Sequence, residues 1–555
     1  MSGILFNQGI LETTLISSAE KQQQADMSFD YIIVGGGSAG SVLAARLSED
    51  SGCSVLLLES GGRGNSPLIN IPLGMAVTVP TRIHNWGFQT VPQAALNHRQ
   101  CYQPRGHALG GSSAINAMIY TRGHAHDYDE WASLGLTDFA WSEVLPWFKH
   151  SEGNERLGEP WHGINGPLAV SDLRYQNPVI NAFINASRQC GYPINEDFNG
   201  HEQLGIGRYQ VTQREGTRCS AAKAFLTPCL QRKNLTVLTR TMVTRLLPGN
   251  HGINSVEVAL QQGSSQRFSA RREVILCGGA FHSPQLLMLS GIGPKEELDR
   301  HHITVLLEQN QVGANLQDHL DYISVWRSSD SHLVGYGLQG LARMVAELPA
   351  YLRHRNGLFS SNIADAGGFI KTDPALERPD IQLHFLLSMA DDHNRKLHYG
   401  QGFSLHACLL RPYSRGTVGL YNADPMSAPK IDPAYLSDER DIDILLKGIK
   451  LSRKIVYQSA MDQLRGRAMF IPDHPDDEVL LNSIRQRAES IYHPVGTCRM
   501  GVDADAVVDQ RFRVKGIEGL RVVDASVMPL LPGGNTNAPT IMLAERAADW
   551  IKHGN

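Results

Sequence analysis

Asp30-Tyr31-Ile32-Ile33-Val34-Gly35-Gly36-Gly37-Ser38-Ala39-Gly40 decides the fold. Its first five residues form a short apolar, β-prone run, as a parallel strand buried on both faces requires. Gly35, Gly37 and Gly40 follow in GxGxxG spacing, and Leu43, Ala44 and Leu47 continue on a helical period. A second strand, Ser54-Val55-Leu56-Leu57-Leu58, ends in Glu59. This spacing answers a chemical need. The glycines allow a tight turn and bring backbone N–H groups and a helix N-terminus against a pyrophosphate. The acid at the second strand end accepts hydrogen bonds from ribose hydroxyls. A carboxylate there opposes a 2′-phosphate, so NADP fits poorly. The unit predicts a Rossmann-type dinucleotide-binding domain with Gly35, Gly37, Ser38, Ala39, Gly40 and Glu59 at the cofactor.

Gly36-Gly37-Ser38-Ala39-Gly40 also satisfies GxSxG, the nucleophile elbow of α/β-hydrolases. A serine hydrolase is the remote alternative. It leaves Glu59 unexplained and sets the elbow on the first strand of the fold.

The chain around this unit has 555 residues, more than one core usually supports, so two or more domains are expected. Hydrophobic residues at 42% and charged residues at 19% suit a globular enzyme. Basic and acidic side chains number 51 and 55, so no basic excess is available to collect nucleic acid phosphates. Eight scattered cysteines without a CxxC pair argue against a zinc site or disulfide framework and suit a reducing cytoplasm. No apolar run reaches the roughly 18 residues of a spanning helix. Residues 1–26 are polar and lack the pattern of a signal peptide. They are expected to be a disordered tail or the product of an upstream start, with the fold beginning at Met27.

Further segments favour a cofactor larger than NAD. Pro104 to Asn116 is a second Gly/Ser-rich stretch, too distant to belong to the first phosphate turn. The strand Glu273–Cys277 ends in Gly278-Gly279-Ala280, and the strand Leu520–Val523 ends in Asp524-Ala525-Ser526. Such strand ends line the crevice at the carboxyl edge of a parallel sheet. A last helix is expected after Gly533, with Asn537 as its N-cap and Pro539 in its first turn. Its positive end suits the anionic N1–C2=O edge of a reduced flavin.

Four stretches in order carry a resemblance. They are Gly106 to Asn116, Gly279 to Gly293, Gly313 to His319, and Ile491 to Gly501. With them the chain resembles the glucose–methanol–choline (GMC) oxidoreductase family from Asp30 to its C-terminus. The departure is His107, where Lys, Arg or Asn is more usual. The resemblance implies FAD, with Trp86, Arg105, Gly110, Gly111, Ser112, Asn116, Ala117, Val243, Asp524, Ala525 and Thr536 at the cofactor. It also implies a catalytic pair, His493 as base and Asn535 as the second member. Histidine suits proton abstraction because its unperturbed pKa is about 6.5. The Asn535 amide can both donate to and accept from the substrate oxygen. Some relatives bind FAD covalently through a histidine in the Gly-Gly-Ser segment. Ile115 stands at that position and no histidine lies between Gly110 and Tyr120, so non-covalent FAD is expected.

Ala169 to Leu173, Asp197 to Gly200 and Tyr209 to Gln213 look most similar to the choline-dehydrogenase-like branch, and there to bacterial alcohol dehydrogenases of alkane degradation. This implies primary aliphatic or arylic alcohols as substrates, aldehydes as products, and quinone or another carrier as electron acceptor. It also implies peripheral attachment to the inner face of a membrane, although no amphipathic basic helix stands out in the sequence. Use of O2, or a non-redox hydroxynitrile lyase activity on the same fold, are the alternatives.

From about residue 320 the pattern turns to alternating strands, at His319–Arg327, Asp380–Leu387, Phe403–Leu410 and Gly416–Tyr421. Helical stretches lie near 338–354 and 438–458. An α+β substrate domain built on an antiparallel sheet is expected over 320–489, between FAD-domain segments 27–319 and 490–555. Tyr492, beside the base, is expected as a pocket wall. His319 is expected to be structural, and His124, His126 and His282 to be surface or packing residues. No metal ligand set is assigned.

Overall fold

The computed structural model describes residues 10–12, 27–249, 252–259 and 264–554. Apart from the strand Ile10–Glu12, which runs parallel to Leu235–Thr239, the expectation for residues 1–26 lies outside them.

The opening motif folds as its pattern requires. Strand Met27–Val34 is buried from Asp30 onward and lies between two parallel neighbours, Val55–Leu58 and Ser265–Leu276. Leu235–Thr239 extends the sheet beyond Val55–Leu58. The long strand Ser265–Leu276 changes role along its length, with a register shift between Ala270 and Glu273. Its first half pairs antiparallel with Gly252–Ala259, which in turn pairs with Met242–Gly249. Its second half pairs parallel with Leu520–Val522, so the C-terminal segment returns to the first sheet. Helix Ser38–Leu47 sits hard on this sheet. A Cβ at Gly40 would stand 1.9 Å from the Gly35 carbonyl oxygen, so only glycine allows the approach. Helix Asn537–His553 packs beside it, joined by two bonds of Arg46 to Glu545 at 2.7 and 2.8 Å.

The second layer is a six-stranded antiparallel sheet in the order 489–490, 320–328, 401–409, 381–386, 366–370, 205–208. Three expected strands and both expected helices, Leu338–His354 and Glu439–Val456, are present. The fourth, at 416–421, is shorter and separate: among the described residues Thr417–Gly419 forms a two-stranded sheet with Lys430–Asp432. The outer edge is instead Gly205–Arg208, supplied from far upstream. Gly205–Arg208 carries three small or polar residues and no alternation, so nothing local marks it as a strand. Apolar Leu383 and Phe385 turn toward the covering helices, where Phe183 stacks on Phe385 with centroids 4.6 Å apart. Strand alternation then sends Gln382 and His384 to the opposite face, toward the first domain.

Entry and exit of this sheet lie side by side, with Leu320 opposite Ser490 and Ile491 N–H bonded to the His319 carbonyl. All eight cysteines are unpaired. Among the described residues no helix is long and apolar enough to cross a membrane.

Candidate active site

One continuous cavity runs from the Gly35–Ala39 turn, between the two sheets, to His493 and Asn535. Of the residues singled out by sequence, Gly35, Gly37, Ser38, Ala39, Glu59, Trp86, Arg105, Gly111, Ser112, Asn116, Ala117, Val243, Tyr492, His493, Asp524, Ala525, Asn535 and Thr536 line it. Gly40 and Gly110 stand behind the wall. Gly40 permits the helix–strand approach, and Gly110, at φ +95°, donates its N–H to the Gly36 carbonyl. Gly110 thereby ties the two glycine segments together.

The dinucleotide end fits its proposed ligand. Helix Ser38–Leu47 has no side-chain cap and no acid in its first turn, leaving its N–H groups and dipole for an anion. Gly111, at φ +53°, lies so close that a Cβ there would meet Gly37 Cα at 2.7 Å. Glu59 is buried, with its carboxylate accepting from Gly36 N–H at 2.8 Å and Gly61 N–H at 2.7 Å. Burial outweighs these bonds and pushes its pKa up to about 7. Asp524 accepts from Gly279 N–H and Ser283 Oγ, which fixes the Gly278–Gly279 strand end against the cavity.

Helix Asn537–His553 opens into the same cavity, and its N-cap is Thr536. The expected cap, Asn537, is instead the first helical residue; its Oδ1 accepts from Ser38 Oγ at 2.7 Å. Ser38, the serine of the GxSxG stretch, is thus committed to a helix-to-helix bond. Trp86 forms part of the wall between His107, stacked at 3.9 Å, and His282 at 4.8 Å. His282 corrects its reading as a mere packing residue, because it lines the cavity; burial lowers its pKa to about 4. His124 accepts from His126 N–H at the start of helix Ala125–Ser133, a capping role.

At the far end, hydrogen-bond roles can be assigned around His493. The Leu410 carbonyl can only accept, so His319 Nε2, at 2.9 Å, carries a proton. Burial holds His319 neutral, with its pKa down to about 3, so its Nδ1 is an acceptor. His493 Nδ1 lies 3.0 Å from that atom and must therefore donate. His493 Nε2 is left bare, facing the cavity, with Asn535 Nδ2 at 3.2 Å. The Asn535 amide is oriented too, since its Oδ1 accepts from Gln382 at 3.1 Å and Thr121 at 3.3 Å. Burial, then His319, His384 and Arg105, hold His493 well below the usual histidine pKa. His319 therefore does more than brace the fold, since its contact fixes the His493 tautomer.

Asp318 positions the same residue. Its Oδ1 accepts the His493 N–H at 2.8 Å, while Oδ2 takes bonds from Ser490, Gln103 and Tyr435. Tyr492, at φ +76°, presents its carbonyl to Arg105 and its hydroxyl to His393. His393 also meets Asp392 and Glu489, a group whose ligand atoms converge within 4.8 Å. Arg395 and Arg99 already pair with those two carboxylates.

The substrate sheet adds residues that sequence reasoning missed. Asp321, His384, His406 and Asn362 line the chamber beside apolar Ile323, Ile363, Ala364 and Leu386. His406 Nδ1 bonds Asp321 Oδ2 at 2.5 Å, whereas both His384 ring nitrogens, His406 Nε2 and Asp321 Oδ1 have no hydrogen-bond partner among the described residues. The available signal was polar residues repeating at every second position, Gln382 with His384 and Ser404 with His406.

Comparison with known proteins gives the family. The GMC oxidoreductase N-terminal family model matches residues 29–321, and the corresponding C-terminal model matches residues 412–544. The chain is 45% identical over 528 residues to an alcohol dehydrogenase [acceptor] of Pseudomonas putida, covering 94% of this chain and 95% of that one. It is 40% identical to mitochondrial choline dehydrogenase of Homo sapiens over 99% of this chain and 94% of the relative. Among solved structures, pyridoxine 4-oxidase from Mesorbium loti superposes with a TM-score of 0.85 at 34% identity, covering 95% and 99% of the two chains. Matches of this extent at both ends, on a glycine-cradled groove that leads to an oriented His–Asn pair, place the chain in the GMC oxidoreductase family.

Proposed function

We propose that the chain oxidises primary alcohols, aliphatic or arylic, to aldehydes with non-covalent FAD, and passes the electrons to quinone or another carrier while attached peripherally to a membrane. The observation that carries this reading is the bare Nε2 of His493 beside Asn535 Nδ2 at the end of the dinucleotide groove. Bound FAD supplies the hydride acceptor. Every other task falls to the chain. Asn535 holds the alcohol oxygen, and His493 Nε2 takes the hydroxyl proton as the C–H bond breaks. The His319–Leu410 relay keeps the second ring nitrogen protonated throughout. The buried position of His493 keeps bulk water from the reacting oxygen. Alcohol oxidation in the P. putida relative, at 45% identity, supports the same substrate class.

A second reading is a cationic alcohol such as choline. The buried Asp321 carboxylate in the chamber favours it, as does the 40% identity to choline dehydrogenase. Anaerobic mixing with a panel of primary alcohols that includes choline, followed by flavin absorbance, tests both readings. Bleaching by neutral alkanols or benzyl alcohols supports the first; bleaching by choline alone moves the assignment to the second. No bleaching with any alcohol overturns oxidation in favour of lyase chemistry. Admitting air afterwards separates O2 use from a carrier. Acid precipitation should leave the yellow colour in the supernatant, as non-covalent FAD requires.

A further inference from the structure

Helix Leu338–His354 is amphipathic in the wrong sense for a helix that covers a core. Three of its polar side chains, Arg343, Glu347 and Tyr351, point inward. Arg343 donates to the carbonyls of Ser331 at 2.8 Å and Leu333 at 2.9 Å, and to the hydroxyl of Tyr175. Glu347, its one acid, accepts from Leu358 N–H, and fully buried Tyr351 donates to the Gly216 carbonyl at 3.2 Å. Its apolar side chains point outward. Leu338, Leu341, Val345, Leu348 and Leu352 follow i, i+3, i+7, i+10 and i+14, and are 80, 61, 65, 38 and 61% exposed. One face of the helix therefore offers water an unbroken apolar stripe, where a surface helix ordinarily presents charge.

The surroundings extend the stripe and give it polarity. Tyr399, 74% exposed, lies against Gly337 at the start of the helix, where a Cβ would meet its ring at 2.6 Å. Leu397 is exposed beside it in sequence. At the other end Arg353 and Arg355 are exposed, and no acid faces outward along the helix.

Shape and charge discriminate between occupants. At about 1.5 Å rise per residue the stripe from Leu338 to Leu352 is about 21 Å long and one helix wide. A stable protein partner needs roughly 800 Å² from each side, with matched shape. A bilayer surface needs neither, and takes a helix lying in its plane with apolar residues in the acyl boundary and cations at anionic headgroups.

We propose that helix Leu338–His354 is the membrane-docking element of this protein, with its leucine–valine stripe immersed and Arg353 and Arg355 at anionic lipid headgroups. The inference rests on the reading of peripheral attachment and adds the surface that makes the contact. The segments on either side of the helix connect to the substrate chamber. Val334, just before it, bridges to Ser388, and Leu387 N–H bonds the Ile363 carbonyl just after it; Ser388 and Ile363 both line the cavity. Docking on this face sets the chamber roof against the lipid.

Co-sedimentation of the flavin-loaded enzyme with vesicles tests this. Wild type should pellet with phosphatidylcholine–phosphatidylglycerol vesicles, and less with phosphatidylcholine alone. The triple variant Leu341→Ser, Val345→Ser, Leu352→Ser should partition at least about tenfold more weakly, while flavin content and alcohol-driven bleaching in solution stay unchanged. Arg353→Gln with Arg355→Gln should remove the preference for anionic lipid. Wild-type binding that the triple variant keeps would overturn the helix assignment and leave peripheral attachment standing. Wild type remaining in the supernatant with both vesicle types would overturn both. Self-association of the wild type that the triple variant abolishes would make the stripe a contact between copies and overturn the docking role.

Discussion

His493 is set apart from the other histidines by what its two nitrogens are permitted to do. Nδ1 is committed to His319, so Nε2 is the ring nitrogen left to take a proton beside Asn535. His493→Ala should retain FAD yet slow anaerobic flavin reduction by alcohol at least about 10²-fold. Reduction at the wild-type rate would remove it from the mechanism. Asn535→Ala should lose less, because it orients the oxygen without taking the proton; a silent result in single-turnover reduction would break the pairing. His319→Ala keeps the base but frees its tautomer, and should slow reduction about tenfold or more at unchanged flavin content. Because burial holds His493 well below the usual pKa, the base is already unprotonated near neutrality. The reduction rate should thus stay flat from about pH 9 down to about pH 6, and an acid limb centred on the ordinary histidine value would contradict the relay.

Glu59 titrates in the opposite sense. Its pKa is pushed up to about 7 in the folded chain, above the ordinary glutamate value, so the ionised form is the unfavourable one in the free groove. Its contribution to apo stability is fully present below the unfolded value and is lost as pH rises through about 7. Ribose hydroxyls that donate to the carboxylate favour ionisation, so FAD affinity should weaken as pH falls below about 7. Titration of apoenzyme with FAD checks this, and Glu59→Gln should flatten the dependence.

At the scale of elements, two glycine contacts hold the cofactor groove open. A Cβ at Gly40 would collide with the Gly35 carbonyl oxygen, and one at Gly111 with Gly37 Cα. Gly40→Ala should push helix Ser38–Leu47 off its strand, costing about 1–3 kcal/mol, and should lower both melting temperature and flavin content. Normal flavin retention in that variant would show that the helix can shift without harm. Strand, turn and helix were legible here because every requirement lies within about 30 consecutive residues. Other features were not, because they depend on partners distant in the chain. His384 and His406 face one another only through strand register, and Gly205–Arg208 becomes a strand only by pairing with Ala366–Ile370. Helix Leu338–His354 was legible as a helix, yet its leucine period reads as a core face. Its outward turn is decided by the bonds of Arg343, Glu347 and Tyr351 to distant segments.

Across the whole molecule, the cavity is walled by segments from both sheets and from the C-terminal return, so a dinucleotide lying along it joins parts that the chain order separates. Ligand that binds only the folded state stabilises it by RT ln(1 + [L]/Kd), about 4 kcal/mol at a thousandfold excess. ADP offers the ribose and pyrophosphate but no isoalloxazine ring, so it engages the Gly35–Glu59 end alone. At equal saturation FAD and ADP should therefore both raise the melting temperature of the apoenzyme. Hydrogen exchange should distinguish them. FAD should slow exchange at Ile491–Gly496 and Gly533–Thr540, the segments that carry His493 and Asn535, whereas ADP should leave them at the apo rate. Equal protection of those segments by ADP would mean that they respond to the phosphate end, and that the His493–Asn535 pair does not border the flavin ring.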